Sequence, residues 1–369
     1  MKAWKLALSA LGAAVVVAGC GGGGGVGSSN GKGYTSMVNF GDSLSDLGTY
    51  KVGTVAAVGG GRYTVNAPGT KNWTEIVAAQ VGITGLCPAQ TGLDGAAAQG
   101  FSVPVSNKAG CFSYAQGGSR VTSQPGPGNK LLGGGNAILG QLTLPVKDQM
   151  TNHLVAVAGS YKGTELVTVL AGGNDLFIQA GSIPLVIQAR VAAGQSVADA
   201  TTAAVTGAVT EMGKAGSELA AYIDALVLQK GAKTVVVVNL PNVSKTPYGL
   251  AQDASTQGLI NTMVNTFNDQ LQKGLAGKAG VKVVDAYTES NNQFATPAVY
   301  GISNGTATAC SKTSPANPLG GQSLTCTAAS VVAGDVSRYQ YADDVHPTPF
   351  GYELLAKFVL INMAGAGLL

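Results

Sequence analysis

The feature that most constrains this 369-residue chain is the alternation of short apolar runs with longer helical stretches in its second half. Residues 166–171 (LVTVLA) and 234–240 (TVVVVNL) are apolar at almost every position, which is typical of strands buried on both faces. Residues 197–229 and 258–275 have helical periodicity, and a further strand is predicted at 281–285. Alternating strands and helices of this kind predict an α/β fold with a parallel sheet covered on both faces.

The first 20 residues have the pattern of a bacterial export signal. Lys2 and Lys5 precede an apolar run at residues 6–18, which is too short to span a bilayer as a stable helix. The run ends at Gly19-Cys20, and this end resembles a lipobox, so we predict a signal peptide at residues 1–19 and a lipid-modified Cys20. The alternative is an ordinary signal peptide with a chance cysteine.

A Gly/Ser-rich segment at residues 20–33 favours the lipoprotein interpretation, because an anchored domain needs a flexible tether. We therefore expect a single domain at residues 34–369, bound to a membrane through the lipid or secreted. Gly21, rather than Asp, follows Cys20, and by resemblance to known lipoproteins this favours the outer membrane. The chain without its signal has 20 basic and 19 acidic residues, a near-balance that argues against a nucleic-acid partner. Its oligomeric state cannot be predicted.

The cysteine content fits an oxidising compartment. Apart from Cys20 there are four cysteines, with no Cys-x-x-Cys pair. The simplest pairing is two local disulfides, Cys87 with Cys111 and Cys310 with Cys326, each of which contributes about 3 kcal/mol if formed. These spacings, and the presence of only two histidines in the chain, argue against a zinc site.

Polar residues stand at the ends of the predicted strands. Ser43 follows the first strand, predicted at residues 34–40, and Gly-Gly-Asn-Asp at 172–175 follows the strand at 166–171. The carboxyl ends of parallel strands share one edge of a sheet, where ligand sites form. We therefore expect groups that are distant in sequence to converge at that edge.

The histidine count limits the possible bases. A serine nucleophile needs a base, most often histidine, which a carboxylate orients. His346 has Asp343 three residues before it, and Thr348-Pro349 behind it has the pattern of a helix N-cap followed by proline at the first helical position. His153 lies in a helical-looking stretch, and we interpret it as an ordinary surface or half-buried residue.

Donors for a reaction oxyanion are the third requirement. Gly117 and Gly118 could bring a backbone N–H to a substrate, and Asn174 offers a side-chain amide. Each has a plain alternative, since Gly-Gly is common in turns and Asn-Asp is common at helix caps. Two G-x-S-x-G matches, at residues 27–31 and 301–305, lack the strand before and the helix after that a nucleophile elbow needs.

Taken in order, these segments resemble the GDSL lipase/esterase family, also called SGNH hydrolases. The matching blocks are residues 40–46 (FGDSLSD), 114–118 (YAQGG), 172–175 (GGND) and the Asp-x-x-His at 343–346, and residues 239–241 (NLP) are also similar. The resemblance covers nearly the whole mature chain. It implies a three-layer α/β/α sandwich with a central, mostly parallel, flavodoxin-like sheet.

The resemblance also implies roles for individual residues. Ser43 corresponds to the nucleophile, His346 to the general base and acid, and Asp343 to its orienting partner. The oxyanion hole would consist of the Ser43 N–H, the Gly118 N–H and the Asn174 side chain. No metal or cofactor is implied.

The function implied is hydrolysis of lipid or small acyl esters by a serine esterase or lipase. Two alternatives use the same site, a lipid acyltransferase and a polysaccharide acetylesterase, and a third is a surface lipoprotein that has lost the chemistry. Ser119 departs from the alanine of many members, which puts only the local loop shape in doubt. The substrate pocket is expected between the loops at residues 84–145 and 287–340.

Overall fold

The computed structural model describes residues 32–369 of the chain. The predicted signal peptide, the candidate lipidation site Cys20 and the tether up to residue 31 lie outside the described residues. The strands are β1 (Ser36–Gly41), β2 (Gln90–Asp94), β3 (Ser102–Asn107), β4 (Glu165–Leu170), β5 (Thr234–Val238), β6 (Val281–Val284), β7 (Asn304–Thr308) and β8 (Tyr339–Tyr341). The α-helices are α1 (Gly53–Ala57), α2 (Trp73–Gln80), α3 (Gly134–Leu139), α4 (Val146–Ala156), α5 (Gly173–Ala192), α6 (Val197–Ile223), α7 (Pro247–Leu250), α8 (Ala254–Leu275), α9 (Ala286–Ala295) and α10 (Pro349–Gly365).

The apolar runs form one parallel sheet in the order β1, β4, β5, β6. Phe40 of β1 pairs with Val169 of β4, Val169 pairs with Val237 of β5, and Val237 pairs with Val283 of β6. All four strands run in the same direction, so their carboxyl ends lie along one edge. This confirms the predicted α/β fold with a central, mostly parallel sheet flanked by helices.

Alternate side chains of each strand enter different cores. Val235 and Val237 pack into the larger core, which α4, α5, α6 and α8 cover, whereas Val236 and Val238 face the smaller core beneath α2 and α10. Because β-branched valines suit a pleated surface buried on both sides, a run of four of them forms a strand here rather than a helix. The closing helix α10 therefore covers the sheet, and no helix among residues 32–369 is long and apolar enough to cross a bilayer.

The structure differs from the sequence-based expectation in one helix and in two segments that were expected to be loops. Helix α5 was not predicted, because it starts in Gly-Gly-Asn-Asp and contains Pro184, both of which weaken a helical pattern. Residues 84–145 and 287–340 were expected to be loops. The first segment contains the hairpin β2–β3 and the short helix α3, and the second contains most of α9, all of β7 and most of β8. The hairpin escaped prediction because Gly92 interrupts β2 and Pro104 interrupts β3, and both residue types are uncommon inside strands.

Both of the simplest disulfides are formed. Cys87 is bonded to Cys111 and encloses the β2–β3 hairpin, and Cys310 is bonded to Cys326. The two cysteines of the second bridge are 16 positions apart in sequence. The loop between them lies at the carboxyl edge of the sheet, beside the site described next.

Candidate active site

Ser43 lies in a tight turn directly after β1. Gly41, the last residue of that strand, has φ +150, and a Cβ built there would lie 2.1 Å from the carbonyl oxygen of Leu170 on the neighbouring strand. Glycine therefore lets the chain leave the sheet at this point. The Asp42 carboxylate accepts the Leu44 N–H at 3.0 Å, and the Ser45 N–H donates to the Asp42 carbonyl at 3.1 Å. These bonds hold the Ser43 side chain, 8% exposed, at the tip of the turn.

His346 reaches Ser43 from the other end of the chain, across 303 positions of sequence. Its Nε2 lies 2.8 Å from Ser43 Oγ, and its Nδ1 lies 2.8 and 2.9 Å from the two carboxylate oxygens of Asp343. Asp343 also accepts the His346 backbone N–H at 2.9 Å and the Ser323 N–H at 2.8 Å. Helix α10 begins directly behind this loop, with Thr348 as its N-cap and Pro349 at its first position, as predicted. The carboxylate thus fixes both the loop and the ring.

Two competing effects set the pKa of Asp343. Burial alone would raise the pKa of this carboxyl group, but the neighbouring His346 and the hydrogen bonds from His346 and Ser323 together lower it below its ordinary value. Asp343 is therefore ionised at neutral pH. An ionised Asp343 accepts a hydrogen bond from Nδ1–H of His346. The proton is then on Nδ1, and Nε2 is the basic nitrogen that faces Ser43.

The three predicted oxyanion donors all line the same cavity as His346. Within residues 32–369, the backbone N–H groups of Ser43 and Gly118 donate no hydrogen bond, whereas the Gly117 N–H donates to Asp46 at 2.9 Å. Asn174 Nδ2 donates one hydrogen to the Ser119 carbonyl at 2.8 Å, which fixes the amide and leaves its second hydrogen for a ligand. The choice of Gly118 over Gly117 thus has a physical basis.

Gly118 is a position that only glycine can occupy. Its φ is +80, and a Cβ there would lie 2.1 Å from the Pro127 carbonyl oxygen and 2.6 Å from the Thr143 methyl group. Both the backbone conformation and the contacts exclude a side chain.

Two buried side chains that sequence reasoning missed hold the segment around Ser43, and one of them also binds the Gly117–Gly118 loop. Asp46 accepts the N–H groups of Gly48 and Thr49 at 2.8 Å each, in addition to that of Gly117. Gln149 of α4 accepts the Gly41 N–H at 2.9 Å and donates to the Gly41 carbonyl at 2.8 Å. Asp46 belongs to the FGDSLSD block and could have been singled out there, but no sequence signal distinguishes Gln149.

Asp42 is a second buried carboxyl group beneath the site. Burial, and to a smaller extent the charge of Asp175, raise the pKa of Asp42 to about 7, although the Leu44 N–H and His346 act in the opposite direction. Asp175 in turn accepts hydrogen bonds from Arg120 Nε at 3.1 Å and from the Val121 N–H at 2.9 Å. The third sequence block is thereby joined to the residues that directly follow the second.

An open cavity of about 910 Å³ lies beside Ser43. The two segments predicted to form the pocket walls contribute most of its lining, 84–145 through Phe101 and Leu139 and 287–340 through Leu319. Tyr63, which was not predicted, packs its ring against the His346 imidazole with ring centroids 4.8 Å apart. No signal in the sequence points to this tyrosine.

His153 does not take part in the site, and the expectation of an ordinary surface or half-buried residue is wrong. Its side chain is only 1% exposed, and its ring contacts Phe40, Phe112, Tyr114 and Tyr161. The periodicity of α4 does not reveal that this face of the helix meets an aromatic cluster.

Neither of the two G-x-S-x-G matches contributes to the described site. Residues 301–305 lead into β7, with Ser303 exposed and outside the cavity lining, and residues 27–31 lie outside the described residues.

Comparison with known proteins gives a family match and a distant structural likeness. A model of the family described as GDSL-like Lipase/Acylhydrolase matches residues 37–359. The chain is 17% identical to an extracellular lipase from Streptomyces rimosus known from a crystal structure, with a TM-score of 0.43, and the alignment covers 89% of this chain and 98% of that one. A search of curated proteins finds no match.

Proposed function

The chain belongs to the GDSL-like lipase/acylhydrolase family, and on that premise we propose that it is a serine ester hydrolase that forms an acyl-enzyme on Ser43. The observation that carries this proposal is the continuous hydrogen-bonded chain from Ser43 Oγ through His346 to Asp343, with separations of 2.8 Å at each step. A hydroxyl, an imidazole and a carboxylate in this order make an activated nucleophile.

In the proposed first step, Ser43 Oγ attacks the ester carbonyl carbon while His346 Nε2 takes the hydroxyl proton. The carbonyl oxygen becomes an oxyanion, which the N–H groups of Ser43 and Gly118 and the Asn174 amide stabilise. The tetrahedral intermediate then collapses, and the imidazolium gives its proton to the departing alcohol. An acyl group remains on Ser43.

The second step reverses the roles with water as the nucleophile. His346 takes a proton from the water as it attacks the acyl-enzyme, and the proton returns to Ser43 Oγ when the acid leaves. Asp343 remains ionised throughout and stabilises the imidazolium formed in both steps.

Ser43→Ala tests the proposal, measured by hydrolysis of p-nitrophenyl butyrate. We expect a loss of about 10⁴-fold or more in kcat, with an unchanged far-UV circular dichroism spectrum. Ser303→Ala is the matched control, because it changes the serine of the other described G-x-S-x-G match, and it should keep wild-type activity. Hydrolysis by Ser43→Ala at the wild-type rate would overturn the proposal.

A fluorophosphonate probe and product analysis separate the remaining possibilities. Labelling of the wild type but not of Ser43→Ala is expected of a serine hydrolase, and no labelling would favour a surface lipoprotein that has lost the chemistry. Supplying lipid alcohols and glycans as acceptors should yield free acid from this enzyme, whereas acylated acceptors would identify an acyltransferase.

We also propose that residues 34–369 are one hydrolase domain carried on an exported lipoprotein. The signal-like pattern of residues 1–19, Cys20 and the Gly-rich tether support the lipid anchor, and the two disulfides are compatible with export. Cys20→Ser should abolish incorporation of radiolabelled palmitate and move the protein from the membrane fraction to the soluble fraction. Equal incorporation by the variant would contradict the anchor.

A further inference from the structure

The cavity beside Ser43 has walls without ionised carboxylate, ammonium or guanidinium groups. Among residues 32–369, no Asp, Glu, Lys or Arg lines it, and its titratable members are Tyr63 and His346. The aliphatic and phenyl side chains of the wall are those of Phe101, Ile138, Leu139, Phe177, Leu319 and Val345.

The polar part of the wall away from the proposed oxyanion hole is dominated by carboxamides. Gln141 is held by a 2.7 Å hydrogen bond to the Tyr63 hydroxyl, and Asn136 accepts the Gly128 N–H at 2.9 Å. The exposed side chains of Gln99 and Gln322 make no hydrogen bond within residues 32–369. Carboxamides are neutral donors and acceptors, so they match hydroxyl and ester oxygens of a ligand.

Two charged residues next in sequence to the lining, Asp344 and Asp175, are already in ion pairs. Asp344, which precedes Val345, forms an ion pair of 2.8 Å with Lys312. Asp175, which follows Asn174, forms one of 3.1 Å with Arg120. An ionised group on a substrate would therefore lose hydration in the cavity without gaining a free counter-charge.

Building on the proposed function, we propose that the site selects uncharged esters of polyhydroxylated alcohols, such as monoacylglycerols, over esters whose alcohol carries a phosphate. The volume of about 910 Å³ lies in the range of sites for whole small molecules, so the cavity has room for both the alcohol and the acyl part. The carboxamides pair with the free hydroxyl groups, and the apolar wall takes the acyl chain.

Two soluble substrates that differ by one phosphate group test the inference, namely 1-butyrylglycerol and 1-butyrylglycerol 3-phosphate. We expect kcat/KM to be at least about 10-fold higher for the neutral ester, which corresponds to the cost of a partly desolvated charge. Equal values, or a preference for the phosphate ester, would overturn it.

A substitution at the cavity rim tests whether the cavity itself causes the preference for the neutral ester. Gln322→Lys places a cation beside the substrate and should raise kcat/KM for the phosphate ester about threefold to fivefold, an effect that 0.5 M NaCl removes. Gln272→Lys makes the same change on an exposed position of α8 that does not line the cavity, and it should stay within about twofold of the wild type. Equal gains in both variants would mean that net charge, rather than the cavity, sets the preference.

The outcomes separate this inference from the proposed function. If p-nitrophenyl butyrate is cleaved in a Ser43-dependent manner but the two glycerol esters react equally, only the inference on substrate charge fails. If no ester is cleaved through Ser43, the proposed hydrolase activity itself fails.

Discussion

The two histidines of this chain sit beside tyrosine rings at the same distance and nevertheless have different chemistry. The ring centroids of His346 and Tyr63 are 4.8 Å apart, as are those of His153 and Tyr161. His346, however, has a carboxylate on one ring nitrogen and a serine hydroxyl on the other, whereas His153 Nε2 is buried with no hydrogen-bond partner in residues 32–369.

The difference teaches that hydrogen-bond partners and access to the cavity, rather than ring packing, decide whether a histidine can act as a base. Burial lowers the pKa of His153 to about 4, and the charge of Glu165 opposes this only in part. His153 is therefore neutral at pH 7 and serves as a packing group. His346 faces a solvent-open cavity, where a ligand can exchange protons with it.

Replacing each histidine should give the largest contrast. His346→Gln removes the proposed base and should lower kcat for p-nitrophenyl butyrate by about 10⁴-fold or more. His153→Leu replaces a buried ring by a side chain of similar volume and should leave kcat within about threefold, since no contact of His153 reaches the cavity. Comparable losses in the two folded variants would contradict the assignment of His346.

Asp343→Asn should give the next largest effect. It removes the carboxylate beside His346 Nδ1, a partner for which His153 has no equivalent. The amide cannot stabilise an imidazolium and favours the wrong ring tautomer, so kcat should fall on the order of 10³-fold or more. Measuring kcat from pH 6 to 9 checks it. A loss of less than about tenfold at every pH would contradict the role of Asp343 in orienting His346 and stabilising its charged form.

Much of the sheet and of the candidate site could be predicted because local sequence carries that information. Runs such as residues 234–238 specify a buried strand by themselves, and Asp343 and His346 lie within one turn of each other. Burial of His153 and the ring of Tyr63 over His346 depend on segments distant in sequence, which no local pattern encodes.

The failure to predict α5 has a different physical cause. Its first turn contains Gly173 and the proposed oxyanion donor Asn174, so residues of the proposed site stand where helix-forming residues would otherwise be found. Of this helix only Asn174, Asp175 and Leu176 are buried. The apolar periodicity that normally reveals a helix is therefore weak over most of its length.

The depressed pKa of His153 predicts a pH-dependent stability. The unfolded chain binds a proton at this histidine near pH 6.5, whereas the folded chain does so only near pH 4, so its contribution to stability is complete above pH 6.5 and is lost as the pH falls toward 4. The groups facing it are the Tyr114 hydroxyl, Tyr161 and Glu165. Urea midpoints measured between pH 4 and 7.5 should therefore fall less for His153→Leu than for the wild type. Parallel curves would show that another group causes the loss.

The tyrosines beside the two histidines should show the smallest contrast. Tyr63→Phe leaves the buried Gln141 amide without the hydroxyl that accepts its hydrogen bond, so the free energy of unfolding should fall by about 1–2 kcal/mol. The Tyr161 hydroxyl is buried and has no hydrogen-bond partner in the described part of the chain, so Tyr161→Phe removes an unsatisfied group and should be neutral or stabilising by up to about 1 kcal/mol. Urea unfolding at pH 7.5 measures both. A destabilised Tyr161→Phe would mean that the Tyr161 hydroxyl has a hydrogen-bond partner in solution, for instance a water shared with His153 Nε2. The contrast between the two histidine environments would then be smaller than their direct contacts indicate.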